Sequence, residues 1–237
     1  MSVDVILPQY GRIDLTEKCM ATIREHSPDA NVVLVHNGYT GEAFDEFSMP
    51  TCATYIEMRD NIGYGRASNV GAAASVADYL MFLNNDCEVH EGWLEPLVAA
   101  MDDPMVGAAA GRLEDPDGGL QHAGVHLFWD DNGVLTAQNI TDEQPAGEAD
   151  CLAGTALLVR RQAWLMVGGY DPGFWNGYED VDLCLRLRVA GWKLWYCPDS
   201  TVMHHKHASG PSRWTRVNEN IALLHNRWSD RVQPAEG

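Results

Sequence analysis

Apolar positions come along this chain in short runs separated by longer amphipathic stretches. Val3 to Leu7 is such a run, ended by Pro8, and reads as a buried strand. Residues 14–26 carry Leu15, Cys19, Thr22 and Ile23 at helical spacing, with Asp14 in place to cap the helix and Ser27-Pro28-Asp29 to break it. Asn31 to Val35 is a second run and leads into His36-Asn37-Gly38. Strand, helix and strand in this order predict a right-handed βαβ unit with parallel strands. In an open α/β sheet the ligand crevice lies beyond the strand C-termini, which places residues 8–12 and 36–39 along it.

The pattern then repeats. Tyr55 to Met58 predicts a third strand, and a helix is expected over about residues 67–78. Tyr79 to Leu83 is apolar throughout and reads as a central strand ending in Asn84-Asn85-Asp86. A helix over Trp93 to Met101, a strand over Met105 to Arg112, an Asp117-Gly118 hairpin turn and a return strand over Leu120 to Phe128 follow. Trp129 to Asp150 is polar and acidic with little periodicity, and is expected to be a long functional loop. Asp150 to Val159 predicts a strand, Gln162 to Val167 a helix, and Trp192 to Tyr196 and Thr201 to Met203 two short strands, the last delivering His204. Trp214, Val217, Ile221, Leu224 and Trp228 form one helical stripe. That helix either packs on the domain or forms a homodimer surface, and packing is the favoured expectation.

Composition narrows the function classes. A chain of 237 residues, 46% hydrophobic, fits one generous domain or two small ones with a core that needs no staples. A formal net charge of −18 argues against stable nucleic-acid binding and against docking on anionic membranes. No stretch approaches the roughly 18 apolar residues of a transmembrane segment, and the start reads as a first strand rather than a signal peptide. The six cysteines are widely spaced, several within apolar runs, and are expected to be free buried thiols in a reducing, cytoplasmic setting. The sequon at Asn139-Ile140-Thr141 is then a chance match.

Candidate chemistry concentrates in residues 169–188. Gly-Gly, Asp-Pro and Asn-Gly breakers are followed by Glu179, Asp180 and Asp182 in the expected first turn of a helix that Gly191 stops. Acids favour a helix N-terminus because the macrodipole stabilises negative charge there. Clustered carboxylates also resist ionising together, so one can be poised as a general base. Earlier, Asn61, Gly63, Ala67, Asn69 and Gly71 form a glycine-rich loop before a helix, where backbone can approach a phosphate. Asp86 after the central strand is either a turn residue or an oxygen ligand for a hard cation. His122 and His126 are isolated and read as structural.

The stretch GGYDPGFWNGYEDVDLCLRLRVAGW resembles the C-terminal signature of family 2 inverting glycosyltransferases, the rhamnosyltransferase-like branch in particular. Residues 61–71 match that family's N-x-G-x-x-x-A-x-N-x-G element, Asn84-Asn85-Asp86 stands where it carries a variant of the D-x-D metal motif, and the motifs run in its order from about residue 3 to 228. The resemblance implies an α/β GT-A fold over residues 1–237, a Rossmann-like nucleotide-binding half merged with an acceptor-binding half around a mixed, mostly parallel sheet. The nucleotide-sugar half covers about residues 1–104, the acceptor and catalytic half about 105–212, and a C-terminal helix and tail the rest. It further implies Asp180 as catalytic base beside Glu179, with Asp182 a supporting residue. Pro8, Tyr10, Asn37, Asn61, Gly63, Asn69 and Asn85 are the implied donor contacts. Asp86 and His204 are the implied metal ligands for Mn²⁺, with Mg²⁺ the alternative. The implied donor is a nucleotide diphosphate sugar and the acceptor a glycan, lipid-linked or other hydroxyl compound, with residues 129–150 as a flap on its side. The usual Asp-Asn after the second strand is His36-Asn37 here, so uridine, thymidine and guanosine donors stay open. Two other classes stay open as well: a sugar-1-phosphate nucleotidyltransferase and a non-catalytic sugar-binding module.

Overall fold

The computed structural model describes residues 1–38, 54–205 and 215–232. Its framework is a ten-stranded sheet in the order β10-β12-β6-β11-β4-β1-β2-β3, with β5 beside β12 and β7 beside β6. Strands β1 (Val3–Gln9), β2 (Asn31–Asn37), β3 (Thr54–Met58) and β4 (Tyr79–Leu83) are parallel neighbours. Strand β11 (Ala156–Arg160) runs antiparallel to both β4 and β6 (Val106–Glu114), and β12 (Lys193–His204) is parallel to β6. The long strands therefore share one direction except β11. The short pieces β5 (Cys87–Val89), β7 (Leu120–His122) and β10 (Gly147–Glu148) complete the sheet at its β12 and β6 side, each antiparallel to its neighbour.

The apolar runs are continuous because both sheet faces are covered. Alternate residues divide between two cores. Ile6, Val33, Leu80, Phe82, Leu157 and Val159 face one way, and Val5, Leu7, Val32, Leu34, Met81 and Leu158 the other. Helix α1 (Ile13–His26) covers the second face with Cys19, Met20 and Ile23, joined by Leu97 of α3 (Glu95–Ala100). The first face receives α2 (Tyr64–Ala73), α4 (Arg161–Val167), α5 (Glu179–Val189) and α6 (Val217–Trp228). Helix α2 lies so close to β1 that a Cβ on Gly71 would stand 2.6 Å from Ile6 Cγ2, so only glycine fits there.

Several sequence expectations are corrected. Arg12, in the left-handed region, takes the N-cap of α1; Asp14 instead sits in the first turn, bonded to Arg12. Helix α2 starts at Tyr64, because Asn176 Oδ1 accepts the Tyr64 N–H from a distant loop. It stops before Ser75, whose hydroxyl donates to buried Asp4. Residues 129–150 are not one loop: β9 (Leu135–Asn139) pairs with β8 (Val125–Trp129) as a separate hairpin, and β10 joins the main sheet. Its polar sequence hid a strand in which only Leu135 is buried. Residues 150–155 are not strand but a bend ahead of β11, and the two strands expected over 192–203 are one, β12, with a register shift between Cys197 and Thr201.

Helix α6 packs on its own domain through Leu224 and Trp228; Trp214 lies outside the described residues. Cys19, Cys87, Cys151, Cys184 and Cys197 are buried free thiols, and Cys52 lies outside the described residues. Among the described residues no helix is long and apolar enough to cross a membrane.

Candidate active site

Beyond the C-terminal ends of β1, β2 and β4 opens a cavity of about 330 Å³. Pro8 at the end of β1 and Tyr10 just after it line the cavity, with Asn37 as the last residue of β2, Asn61 from the loop before α2, and Asn85 and Asp86 after β4. Glu179 and Asp180 reach it from the start of α5, and His204 from the end of β12. Gly63 and Asn69 do not line it. Gly63, with φ +84°, packs under the Trp175 ring, 3.1 Å from where a Cβ would sit. Asn69 clamps the backbone of Tyr170, accepting its N–H at 2.9 Å and donating to its carbonyl at 2.8 Å. Both therefore fix the walls rather than face the cavity. Tyr39 lies outside the described residues.

The loops at the β1, β2 and β4 end of the cavity are tied together by amides. Asn37 donates to Asn61 Oδ1 at 3.1 Å and accepts the Ile62 N–H at 2.9 Å, while Asn61 accepts the Gly63 N–H. Asn85 donates to Thr16 on α1 at 2.9 Å. His36 turns from the cavity and bonds Tyr55 Oη at 3.0 Å; burial holds its ring below the usual histidine range.

The three carboxylates at the start of α5 diverge. Glu179 accepts the Gly177 N–H. Asp180 accepts from Gly154 at 2.8 Å and from Val181 at 2.9 Å, which orients its carboxylate. Position 154 must be glycine, because a Cβ there would lie 2.9 Å from Asp180 Cβ. Asp182 is fully buried and points away, into Arg186, Arg227 and Trp228. The clustered charge expected from the sequence is thus dispersed among separate partners. Tyr64 stands beside Asp180 and donates to the Gly154 carbonyl at 3.0 Å; burial raises its phenol well above the ordinary range, with Glu179 and Asp180 adding to it.

A second centre forms where two strand ends meet. Strand β5 pairs antiparallel with β12, setting His204 opposite Cys87, and the His205 N–H donates to the Asp86 carbonyl at 2.9 Å. His204 Nε2 consequently lies 3.3 Å from Asp86 Oδ1, both groups buried. Two ligands at neighbouring positions of an octahedral ion, each about 2.1 Å from it, stand about 3 Å apart, so this donor pair fits a divalent cation. One carboxylate oxygen with one imidazole nitrogen suits Mn²⁺ better than a purely hard-oxygen ion. Cys87 completes the cluster, but burial pushes its thiol well above the ordinary range.

Sequence reasoning missed the residues that hold this arrangement. Asn176, read only as part of a turn, caps α2. Asn220, a buried amide on the apolar face of α6, accepts from Trp175 N and donates to the Trp175 and Gly177 carbonyls. A polar residue inside the helical stripe was its only signal.

Residues 4–163 match the sequence model of Glycosyl transferase family 2, more than half of the chain. The chain belongs to that family. As a family 2 glycosyltransferase it is 35% identical, over 181 residues, to an N-acetylglucosaminyl-diphospho-decaprenol L-rhamnosyltransferase of Mycobacterium tuberculosis, an alignment covering 63% of this chain and 58% of the relative. It is 28% identical to the O-antigen biosynthesis protein RfbC of Myxococcus xanthus over 87% of this chain and 17% of that one. The chain thus spans little more than half of the one relative and a sixth of the other. Among solved structures, GalNAc-T7 with UDP, GalNAc and Mn²⁺ superposes with a TM-score of 0.69 at 20% identity, over 86% of this chain and 43% of that one. S. aureus TarS residues 1–349 give 0.66 at 13% identity, over 94% and 65%. The fold of this family 2 member is GT-A, as these neighbours share. The family match ends before α5, so the placement of Asp180 and His204 comes from this chain's own geometry.

Proposed function

We propose that the chain is an inverting, metal-assisted glycosyltransferase that moves a sugar from a nucleoside diphosphate sugar to an acceptor hydroxyl, with Asp180 as general base. The observation that carries this reading is the single cavity onto which Asp180, Glu179, Asp86, His204, Asn37 and Asn61 all open. The acceptor oxygen attacks the anomeric carbon and forms the new C–O bond, while the bond from that carbon to the diphosphate breaks. The electron pair leaves on the diphosphate, the hydroxyl proton passes to the Asp180 carboxylate, and configuration inverts. The flattened, oxocarbenium-like sugar of such a transition state is the species the cavity must fit. Glu179 braces the loop before α5, through the Gly177 N–H, and so keeps Asp180 in place.

A divalent cation held by Asp86 and His204, Mn²⁺ in preference to Mg²⁺, would stabilise the negative charge gathering on the departing diphosphate. Asn37, Asn61 and Asn85 bound the donor side with Pro8 and Tyr10. Val125, Ala137, Val181 and Val217 give the cavity apolar surface suited to the face of a sugar ring. The name of the mycobacterial relative supports a deoxyhexose as the sugar and a lipid-linked saccharide as the acceptor. The net charge of −18 and the buried free thiols support action in the cytoplasm, away from nucleic acid.

The test is a panel of UDP-, dTDP- and GDP-sugars with the full chain, in Mn²⁺ and in EDTA, reading nucleoside diphosphate release and the anomeric configuration of the product. Mn²⁺-dependent release from one nucleotide class with an inverted product is expected. Pyrophosphate release from a nucleoside triphosphate and a sugar 1-phosphate would instead make it a nucleotidyltransferase. Sugar binding without turnover would make it a binding module.

A further inference from the structure

Gln121 has no part in the donor or acceptor contacts, yet its side chain is buried against the metal-side histidine. It sits on β7, which folds back along the end of β6 through an irregular pairing between Leu113 and Glu114. Its amide nitrogen donates to Asp115 Oδ1 at 2.8 Å and to the His204 carbonyl at 3.0 Å. A backbone carbonyl can only accept a hydrogen bond, and so can an ionised carboxylate, so the NH₂ end of the amide must face these two groups. The carbonyl end is then turned to His204 Nδ1, at 2.6 Å. An amide oxygen cannot donate, so Nδ1 of the ring carries the proton. The other nitrogen, Nε2, faces Asp86 Oδ1 across 3.3 Å. That separation exceeds the roughly 2.7–2.9 Å of a charge-assisted N–H···O⁻ bond, as expected if Nε2 carries a lone pair and no proton.

We infer that Gln121 is a positioning residue for the cation: it brackets His204 by its ring and its own carbonyl, and fixes the tautomer in which Nε2 is the ligand atom. Which imidazole nitrogen binds a metal is set by the hydrogen bond the other one makes. The bracket also stops the ring from rotating about its last torsion, because the same amide grips His204 at two points. Asp115 holds the far side of that amide and so sets which way it faces. None of this chemistry is visible in the sequence, where Gln121 is one polar residue in a turn-rich stretch.

The inference rests on the metal reading above, and two measurements separate their failures. The first is ¹⁵N NMR of the histidine rings in the unaltered, metal-free chain at pH 8, with His204 assigned from the signal lost in His204→Gln. The Nδ1–H tautomer is expected; the Nε2–H tautomer overturns the inference whether or not Gln121→Leu folds. The second is Mn²⁺ affinity by electron paramagnetic resonance for the unaltered chain and for Gln121→Leu. Loss of such a partner typically weakens metal binding about 10- to 100-fold, and that loss is expected here. Unchanged Mn²⁺ affinity in Gln121→Leu, with the unaltered chain binding well, overturns the role of Gln121 alone. No Mn²⁺ binding by the unaltered chain overturns the metal reading and this inference with it.

Discussion

Replacing Asp182 with Asn is expected to destabilise the protein far more than loss of a helix-dipole contact would. The carboxylate is completely buried. Its Oδ2 accepts from Arg186 Nε at 2.7 Å, and its Oδ1 accepts from Arg227 Nη1 at 2.7 Å and from Trp228 Nε1 at 3.0 Å. Arg227 also pairs with Asp171 at 2.8 Å, so one carboxylate joins α5, α6 and the turn before α5. Asparagine has the same shape, and its oxygen can still serve Arg227 and Trp228. Its NH₂ then meets the Arg186 guanidinium donor to donor; Arg186 loses its counter-charge, and Arg227 is left with Asp171 alone. Removing one partner of a buried ion pair costs about 3–5 kcal/mol. The retained oxygen and the partial exposure of Arg186 and Arg227, 19% and 28%, bring the expected loss to about 2–4 kcal/mol. A macrodipole contact alone accounts for about 0.3–1 kcal/mol. For a chain of this size each kcal/mol moves Tm by about 2–4 °C, so a fall of about 4–16 °C is expected by calorimetry. A double-mutant cycle with Arg227→Met should show strong coupling. A Tm fall under about 2 °C, or additive effects within about 0.5 kcal/mol, would refute the lock.

Two further outcomes follow from the site. Gly154→Ala puts a methyl group 2.9 Å from Asp180 Cβ and must displace the carboxylate, so kcat should fall on the order of 10²-fold with nucleotide affinity kept; normal turnover would show that the site tolerates the shift. Asp86→Ala should weaken nucleoside diphosphate binding to the level the unaltered protein shows in EDTA, and calorimetry giving equal affinity with Mn²⁺ and with EDTA would remove the cation from the account.

The strands were legible wherever burial made them apolar throughout: β4 has the boundaries its run of five apolar residues implies, and β1 extends two residues beyond its run. Asp86 and His204 could be named from the sequence, but their meeting could not, because it depends on β5, a three-residue strand without a pattern of its own. Polar strands such as β9 were hidden for a related reason: one buried residue does not make a period. Residues that act by gripping distant backbone escaped entirely. Asn176 reaches back 112 positions to Tyr64, Gln121 forward 83 to His204, and Asn220 back 45 to Trp175. Such amides look like loop or helix-surface residues until the fold supplies their partners. Asn69 illustrates the converse: its place in a motif suggested a ligand contact, whereas its side chain is fully committed to Tyr170.

The central claim is that Asp180 removes the acceptor proton in a site that otherwise holds the donor without it. The direct measurement is kcat for Asp180→Asn beside its donor Kd, with Mn²⁺ present throughout. A general base is typically worth about 10² to 10⁴ in rate, so turnover should fall by that order while donor affinity stays close to that of the unaltered chain. Near-normal turnover in Asp180→Asn would place the base elsewhere and contradict the account.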